Sequence, residues 1–105
     1  SQGPAPGTVA PALPDAVAVG ATTLVAFVAP TCSGCEELLA SLEQVARADI
    51  AVRTVDLAED ASSLVFRAYG VRSAPYVVVI DGGGRVRSSG PARSPVDLER
   101  LLDRS

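Results

Sequence analysis

The sequence predicts an α/β domain with a mixed central sheet of about four to five strands and helices on both faces. Two observations predict it. Short apolar runs of strand length alternate along the chain with segments of helical periodicity. A glycine-rich turn near the end separates two further strand-like segments, which indicates an antiparallel hairpin. The 105 residues, 48% of them hydrophobic, are enough for one domain with its own core.

The first strand and the first helix follow each other directly. Residues 22–30, TTLVAFVAP, form an apolar run closed by proline, which is typical of a central strand buried on both faces. Apolar residues then recur every three or four positions and predict an amphipathic helix. Its inward face is predicted to comprise Cys35, Leu38, Leu39, Leu42, Val45 and Ala46, and its outward face Glu36, Glu37, Ser41, Glu43, Gln44 and Arg47. We expect Thr31 or Ser33 to cap this helix, since Ser33 and Glu36 have the spacing of a capping box.

The middle of the chain predicts a second strand at residues 50–57, where apolar and polar residues alternate. Residues 60–69 predict a short helix, and Gly70 suits the position just after its end. The order of strands and helices requires right-handed crossovers and parallel pairing in the first part of the sheet.

The last third predicts another buried strand at residues 75–81, then a glycine turn and an antiparallel partner strand at residues 85–88. Ser94 is expected to cap the final helix, with Pro95 at its first position. The apolar contacts of this helix are predicted to come from Val96, Leu98, Leu101 and Leu102.

The start of the chain has a different composition, with four of the eight prolines in its first 15 residues. We therefore expect residues 1–15 to be an extended tether, or a terminus derived from a tag, and residues 16–105 to form the domain. Because the chain starts at Ser1 and not at Met, we expect a processed chain or a piece of a longer one, which leaves room for a signal peptide or a membrane anchor before it. No stretch of the sequence itself reaches the ~20 apolar residues that span a bilayer.

The composition excludes several functions. The chain has no His, so neither a Ser-His-Asp triad nor a Cys-His pair can form within it. The net charge is −3 and the nine basic residues are scattered, so no nucleic-acid partner is predicted. All the basic residues are Arg, and Ala and Val are abundant, which we interpret as the coding bias of a high-GC bacterium.

The two cysteines, Cys32 and Cys35, lie where the first strand ends and the first helix begins. A structural staple between them would close a very short loop and remove little chain entropy. A metal site normally needs four ligands, which two thiolates do not complete. A helix N-terminus favours a thiolate at Cys32, and Cys35, one turn along, is close enough to attack a mixed disulfide on Cys32. We therefore interpret the pair as redox-active and predict neither a metal nor a cofactor.

Residues 22–103 resemble the thioredoxin superfamily. The resemblance lies in the strand LVAFVAP that leads into the motif CSGC at residues 32–35, in the helix EELLASLEQVA, and in the later segment YGVRSAPYVVVID. It implies the thioredoxin fold, with the bond between Ala74 and Pro75 in cis and Pro75 facing the cysteine pair.

The resemblance also implies a thiol–disulfide oxidoreductase that acts on protein disulfides. Cys32 would attack, Cys35 would resolve the mixed disulfide, and the backbone of Ala74 would pair with an extended substrate segment. The implied partners are a protein thiol or disulfide substrate and a redox partner protein, with the chain itself a monomer. The implied substrate-binding residues are Pro30, Thr31, Ser33, Gly34, Ala74, Pro75 and Tyr76. The alternation of the strand leaves open whether Tyr76 is a core or a contact residue.

The sequence departs from ordinary thioredoxins beside the cysteines. They usually carry Trp just before the first cysteine and a buried Asp six residues before it, where this chain has Thr31 and Ala26. They often carry a Lys near that Asp, and this chain has no Lys. The proton acceptor for Cys35 is therefore missing or supplied otherwise. Glu36 and Glu37 are near, but acidic residues in a first turn are typical of a solvated helix face.

The segment APTC at residues 29–32 resembles the extracytoplasmic TlpA-like and MauD-like branch of this superfamily, similar to proteins that serve cytochrome c maturation and methylamine utilisation. This implies a membrane-tethered or secreted reductant of the cell envelope, with any membrane tether outside this sequence. Two alternatives stay open: a general cytosolic thioredoxin, and a redox-idle docking module of a larger membrane protein.

Overall fold

A four-stranded sheet organises the molecule. The structure, a computed structural model, describes residues 2–14 and 20–104. The elements are β1 (Thr22–Val28), α1 (Cys35–Val45), β2 (Ile50–Asp56), α2 (Ser62–Tyr69), β3 (Tyr76–Ile80), β4 (Val86–Gly90) and α3 (Pro95–Asp103). The strand order in the sheet is β2-β1-β3-β4. The predicted α/β class with a mixed sheet is confirmed, and each predicted strand and helix is present.

The direction of β3 differs from the expected parallel pairing. β1 and β2 are parallel, as predicted, but β3 runs antiparallel to β1, with Tyr76 opposite Phe27. The connection through α2 and residues 70–75 brings the chain back to the sheet beside the end of β1, so β3 starts there and runs the opposite way. The start of β3 and the loop after β1 therefore lie at the same end of the two central strands.

β1 is buried on both faces, as its apolar composition predicts. Its side chains alternate between two cores, since successive residues of a strand point to opposite faces. The first core, under α1 and α3, contains Leu24, Ala26, Val28, Cys35, Leu38, Leu42, Val45, Ile50, Val77, Val79, Ala92, Leu98 and Leu101. The second core, under α2, contains Val25, Phe27, Val55, Val65, Phe66, Tyr69, Val71, Tyr76, Val78, Ile80 and Val86. Helices therefore cover both faces of the sheet, as expected.

The start of α1 corrects two predictions. The helix begins at Cys35, and its N-cap residue is Gly34, in a left-handed conformation with φ 95° and no side-chain cap. The predicted caps, Thr31 or Ser33, and the capping box from Ser33 to Glu36 are wrong. The chain enters the helix through a left-handed turn that favours glycine, so the cap position falls on a residue without a side chain.

The inward face of α1 is narrower than predicted. Leu39 and Ala46 are exposed, whereas Ser41, predicted to face solvent, is 2% exposed. The Ser41 hydroxyl donates to the carbonyl oxygen of Arg93 at 2.7 Å, which satisfies its burial. Helix periodicity alone does not reveal such a polar contact with a distant loop.

The later helices largely follow the sequence. α2 ends at Gly70, which is left-handed as expected. α3 has the predicted cap at Ser94, which forms a capping box with Asp97. Leu98 is buried, but Val96 is 58% exposed, so its predicted core contact is wrong. Residues two positions apart on a helix do not share a face, and Val96 therefore points away from the side on which Leu98 lies.

The N-terminal segment, residues 2–14, is extended but packed against the domain, which differs from the free tether expected. Gly7 N–H donates to Val86 O at 2.7 Å, and Val86 N–H donates to Thr8 O at 2.8 Å. The buried Tyr69 hydroxyl donates to Pro11 O at 2.6 Å. Burial raises the pKa of Tyr69 to about 12, so this hydroxyl keeps its proton near neutral pH. The segment therefore covers the outer edge of β4.

The predicted boundary between residues 15 and 16 lies outside the described residues. In the parts of the chain that are described, no helix has both the length and the apolar character needed to cross a membrane.

Replacing Tyr69 by Phe removes the hydroxyl but keeps the ring. We expect the free energy of unfolding to fall by about 1 kcal/mol, since Pro11 O loses its donor. Amide exchange at Gly7 and Ala10 should accelerate, because the segment loses an anchor. Urea unfolding and hydrogen exchange measured by NMR check this. Unchanged exchange at both amides would contradict an anchoring role for the hydroxyl.

Candidate active site

The cysteine pair lies between β1 and α1. Cys32 and Cys35 form a disulfide, with their Cα atoms 5.5 Å apart. Cys35 is 5% exposed, whereas Cys32 is half-buried. Cys35 is the first residue of α1, so Cys32, expected at the helix N-terminus, lies in the turn just before the helix. A partner protein approaching this surface meets Cys32 before Cys35.

The Ala74–Pro75 peptide bond is cis, as the sequence resemblance implied. Ala74 is half-buried and packs with Cys32 against the first core. Because β3 starts beside the end of β1, this turn and the cysteine pair lie at the same end of the sheet's central strands. The role of the Ala74 backbone in holding a substrate stays a prediction.

A cavity of about 350 Å³ adjoins the cysteine pair. Its lining residues are Val28, Ala29, Pro30, Cys32, Ser33, Gly34, Cys35, Glu36, Leu39 and Asp56. Three of the predicted substrate-binding residues, Pro30, Ser33 and Gly34, therefore lie around one concave surface with both cysteines. Thr31, another of them, is exposed in the same loop.

Tyr76 belongs to the core. It is 3% exposed, and its hydroxyl donates to Gln2 O at 2.8 Å and lies 3.1 Å from Ser89 Oγ. Of the two possibilities that the sequence left open, this burial favours the core position. The predicted substrate contact through the Tyr76 side chain is not supported by its position.

The position of the buried Asp of ordinary thioredoxins is apolar here. Ala26 is fully buried and belongs to the same core as Cys35. Glu36 and Asp56 line the cavity that Cys35 also lines, so carboxylates are available there. Glu36 and Glu37 are exposed on the helix, as the sequence predicted.

Arg93, in the loop before α3, is a residue that the sequence reasoning missed. Its Nη2 donates to Ser33 O at 3.0 Å, and its Nε lies 3.9 Å from a carboxylate oxygen of Glu37. A Cβ atom added at Gly34 would overlap the guanidinium group, so Arg93 lies directly against that glycine. Arg93 is 60 residues from Ser33 in sequence, and no local pattern signals such a contact.

The backbone of Arg93 is held on both sides. Asp97 Oδ2 accepts from the N–H groups of Arg93 and Ser94 at 3.1 and 3.2 Å, and Ser41 donates to Arg93 O. The N–H group of Arg93, followed by that of Ser94, lowers the pKa of the Asp97 carboxyl. The capping box of α3 therefore also fixes the loop that carries Arg93.

Gln2 is a second residue that the sequence did not indicate. Its Oε1 accepts from the N–H groups of Arg72 and Ser73 at 2.8 and 3.2 Å. These amides immediately precede Ala74, so the N-terminal segment is attached to the loop that leads into the cis peptide bond. Within the described residues, no group of three or more His, Cys, Asp or Glu side chains is arranged to hold a metal ion.

A mixed four-stranded sheet, a disulfide of CxxC spacing before a helix, and a cis-proline at the same edge define a thioredoxin-class domain. A thioredoxin family model matches residues 13–104, so the chain belongs to the thioredoxin family.

Known proteins agree with this family. The methylamine utilization protein MauD of Paracoccus versutus is 30% identical over 101 residues, covering 77% of this chain and 51% of that protein. The chain thus spans about half the length of this curated relative. The structure of Trxlp from Edwardsiella tarda has a TM-score of 0.67 at 25% identity, covering 83% of this chain and 86% of that chain. Fasciola hepatica thioredoxin has a TM-score of 0.69 at 21% identity, covering 83% and 84%, and shows the shared fold.

Replacing Gly34 by Ala adds a Cβ atom to a left-handed residue and against Arg93. We expect the backbone alone to cost about 1–2 kcal/mol of stability, and displacement of the guanidinium to add to it. Gly84→Ala is the matched control, because Gly84 is also left-handed but has no atom within 4 Å of the added Cβ. Urea unfolding measures both losses. Equal losses would contradict close contact between Gly34 and Arg93.

The Asp97 carboxyl predicts an acid dependence of stability. Its pKa is lowered in the folded protein from 3.8, so the folded state binds this proton more weakly than the unfolded state does. The stabilisation is therefore present above 3.8 and is lost as the pH falls through the lower folded value. We expect Asp97→Asn to destabilise the protein at pH 7 and to differ less from wild type near about pH 2.5. A difference in unfolding free energy that is equal at both pH values would contradict this.

Proposed function

We propose that the chain is a thiol–disulfide oxidoreductase that reduces protein disulfides through Cys32 and Cys35. One observation carries the proposal: an accessible Cys32 and a buried Cys35 form a disulfide at the sheet edge that also bears the cis Ala74–Pro75 bond. A disulfide across so short a loop removes little entropy from the unfolded chain and adds little stability, so a structural role does not account for the pair.

The reaction starts from the reduced pair. Cys32 loses its proton, and the thiolate attacks one sulfur of the substrate disulfide, which forms a mixed disulfide and releases the other substrate sulfur as a thiolate. Cys35 then loses its proton and attacks Cys32 Sγ, which closes the Cys32–Cys35 disulfide and releases the second substrate sulfur. Two electrons and two protons pass from the cysteine pair to the substrate. A dithiol redox partner protein restores the reduced pair.

The burial of the two cysteines supports this division of roles. Cys32 faces the surface where a substrate arrives, whereas Cys35 is protected from other disulfides and reacts with its neighbour. An extended substrate segment beside Ala74 would form backbone hydrogen bonds with that residue, as extended peptides do with exposed backbone groups. Glu36 or Asp56, on the cavity wall, or a water molecule there, takes the proton that Cys35 releases.

The proposed setting is extracytoplasmic. The segment APTC, which resembles the extracytoplasmic branch, and the likeness to a methylamine utilization protein both support it. In this proposal residues 16–105 are the catalytic domain, residues 1–15 connect it to a tether outside this sequence, and the domain acts as a monomer on a protein substrate. A cytoplasmic thioredoxin is the alternative, which efficient turnover by a thioredoxin reductase would favour.

Two cysteine variants test the chemistry. With a disulfide-bonded test protein and dithiothreitol as reductant, Cys32→Ser should reduce the rate to that of dithiothreitol alone, because the attacking sulfur is lost. Pre-reduced Cys35→Ser, freed of dithiothreitol before it meets the test protein, should instead accumulate a mixed disulfide through Cys32, visible by mass spectrometry and released when reductant is added. Full activity of Cys32→Ser would contradict the proposal and leave a docking module.

A further inference from the structure

Ser33 O joins the cysteine pair to a cation. Arg93 Nη2 donates to this oxygen at 3.0 Å, and Cys32 Sγ lies 3.7 Å from the same atom. Two atoms that contact one oxygen at these distances are at most about 7 Å apart, which is shorter than the screening length of physiological salt. A negative charge on Cys32 would therefore lie within electrostatic range of the guanidinium group, which is half exposed.

The guanidinium group has a defined position. Ser41 and Asp97 form hydrogen bonds with the backbone of Arg93. The Arg93 side chain lies against Gly34, and a Cβ atom added at that glycine would displace it. A long side chain held at its base and along its face loses less freedom when it makes an ion pair than a free one does. The position is therefore suited to act on the sulfur at each turnover.

The charged groups that line the adjoining cavity or contact Arg93, within the described residues, are acidic. Glu36 and Asp56 line the adjoining cavity, Glu37 lies 3.9 Å from Arg93, and Asp97 accepts from the Arg93 backbone. These carboxylates disfavour a thiolate at Cys32, and the negative charge of Glu37 offsets part of the attraction that Arg93 exerts on it. Arg93 brings a positive charge against the Cys32–Cys35 turn, through its contacts with Ser33 O and Gly34.

We propose that Arg93 is a positioning residue that stabilises the thiolate of Cys32 and thereby sets its reactivity and the reduction potential of the pair, with Glu37 as the opposing charge. This inference rests on the proposed redox role of Cys32. Stabilising the thiolate stabilises the reduced protein, which moves the reduction potential in the oxidising direction. A helix N-terminus also stabilises a thiolate, but its effect is weaker here because Cys32 lies before α1 and not on it. The charge of Arg93 adds to that stabilisation.

Four variants separate charge from hydrogen bonding. Arg93→Gln removes the charge and leaves a shorter polar side chain with N–H donors, and Arg93→Lys keeps the charge. Glu37→Gln removes the opposing charge. Arg87→Gln is the matched control, since it makes the same change in net charge but Arg87 contacts Thr22 and Leu102, at the start of β1 and the end of α3.

The first measurement is the rate of iodoacetamide alkylation of Cys32 against pH, with each variant placed in the Cys35→Ser protein. Below the midpoint of the curve, Arg93→Gln should react about threefold more slowly, and its midpoint should rise by about half a pH unit. Glu37→Gln should shift in the opposite direction. Arg93→Lys and Arg87→Gln should stay near the parent curve. In about 1 M salt the difference between Arg93→Gln and the parent should largely disappear.

The second measurement is the exchange equilibrium with glutathione in proteins that keep both cysteines, at a pH above the alkylation midpoint. Arg93→Gln should shift the equilibrium about threefold towards the disulfide, which corresponds to about 14 mV. Circular dichroism and urea unfolding confirm that each variant is folded before it is compared.

The outcomes are separable. An unchanged Arg93→Gln curve, equal shifts in Arg93→Gln and Arg87→Gln, or equal shifts in Arg93→Gln and Arg93→Lys that persist in high salt would each overturn the role of the Arg93 charge. Alkylation needs neither substrate nor redox partner, so this result stands apart from the test of the proposed function. A variant set that behaves as expected in a protein without reductase activity would leave the electrostatic role intact and remove only the activity.

Discussion

The structure depends on the burial of β1 on both faces. Each residue from Thr23 to Val28 is at most 4% exposed, and the alternation of the strand divides the apolar side chains from Leu24 to Val28 between two cores. A fully buried Leu or Phe contributes about 1.5–3 kcal/mol, so the burial of Leu24 and Phe27 alone stabilises the domain by several kcal/mol. Phe27 adds an edge-to-face contact with Phe66, at 5.1 Å between ring centres, which ties α2 to the sheet. Because β1 is fixed from both sides, the loop that leaves its end has a fixed origin.

The candidate active site follows from that fixed end. The loop after β1 carries Cys32, and the antiparallel entry of β3 brings the Ala74–Pro75 turn to the same edge. Two further pieces of the chain then reach this edge from distant parts of the sequence. Gln2 holds the amides that precede Ala74, and Arg93 lies against Gly34. The chemistry of the cysteine pair is therefore shaped by contacts that sequence neighbours do not provide.

Much of the fold could be predicted because its signals are local. A few neighbouring residues are enough to predict the β1 strand, the left-handed Gly70 after α2 and the Ser94 cap. The position of the cysteine pair between a strand and a helix indicated its redox role, and the resemblance to the thioredoxin superfamily implied the cis bond. Thr31 and Ser33 looked like helix caps for the same local reason, and failed because the chain enters α1 through a left-handed glycine.

The remaining differences are tertiary. Ser41 can be buried because its hydroxyl donates a hydrogen bond to the carbonyl oxygen of Arg93. Tyr76 can be buried because its hydroxyl has hydrogen-bond partners in Gln2 O and Ser89 Oγ. A proline-rich segment has no periodicity from which its contacts with the domain can be predicted. The hydrogen bond from the Tyr69 hydroxyl to Pro11 O therefore could not be predicted from the sequence. The replacement of a buried Asp by Ala26 was visible in the sequence, whereas the carboxylates and the guanidinium group around the cysteines required the folded chain.

The measurement that tests this account most directly is the reduction potential of the Cys32–Cys35 pair. The protein is equilibrated in graded dithiothreitol or glutathione buffers, quenched with an alkylating agent, and its modified thiols are counted by mass spectrometry. The account predicts a reversible two-electron couple near or below about −270 mV, the range of a protein-disulfide reductant. A couple near about −120 mV would contradict the reducing direction, and the absence of a reversible couple would contradict an enzymatic role for the pair.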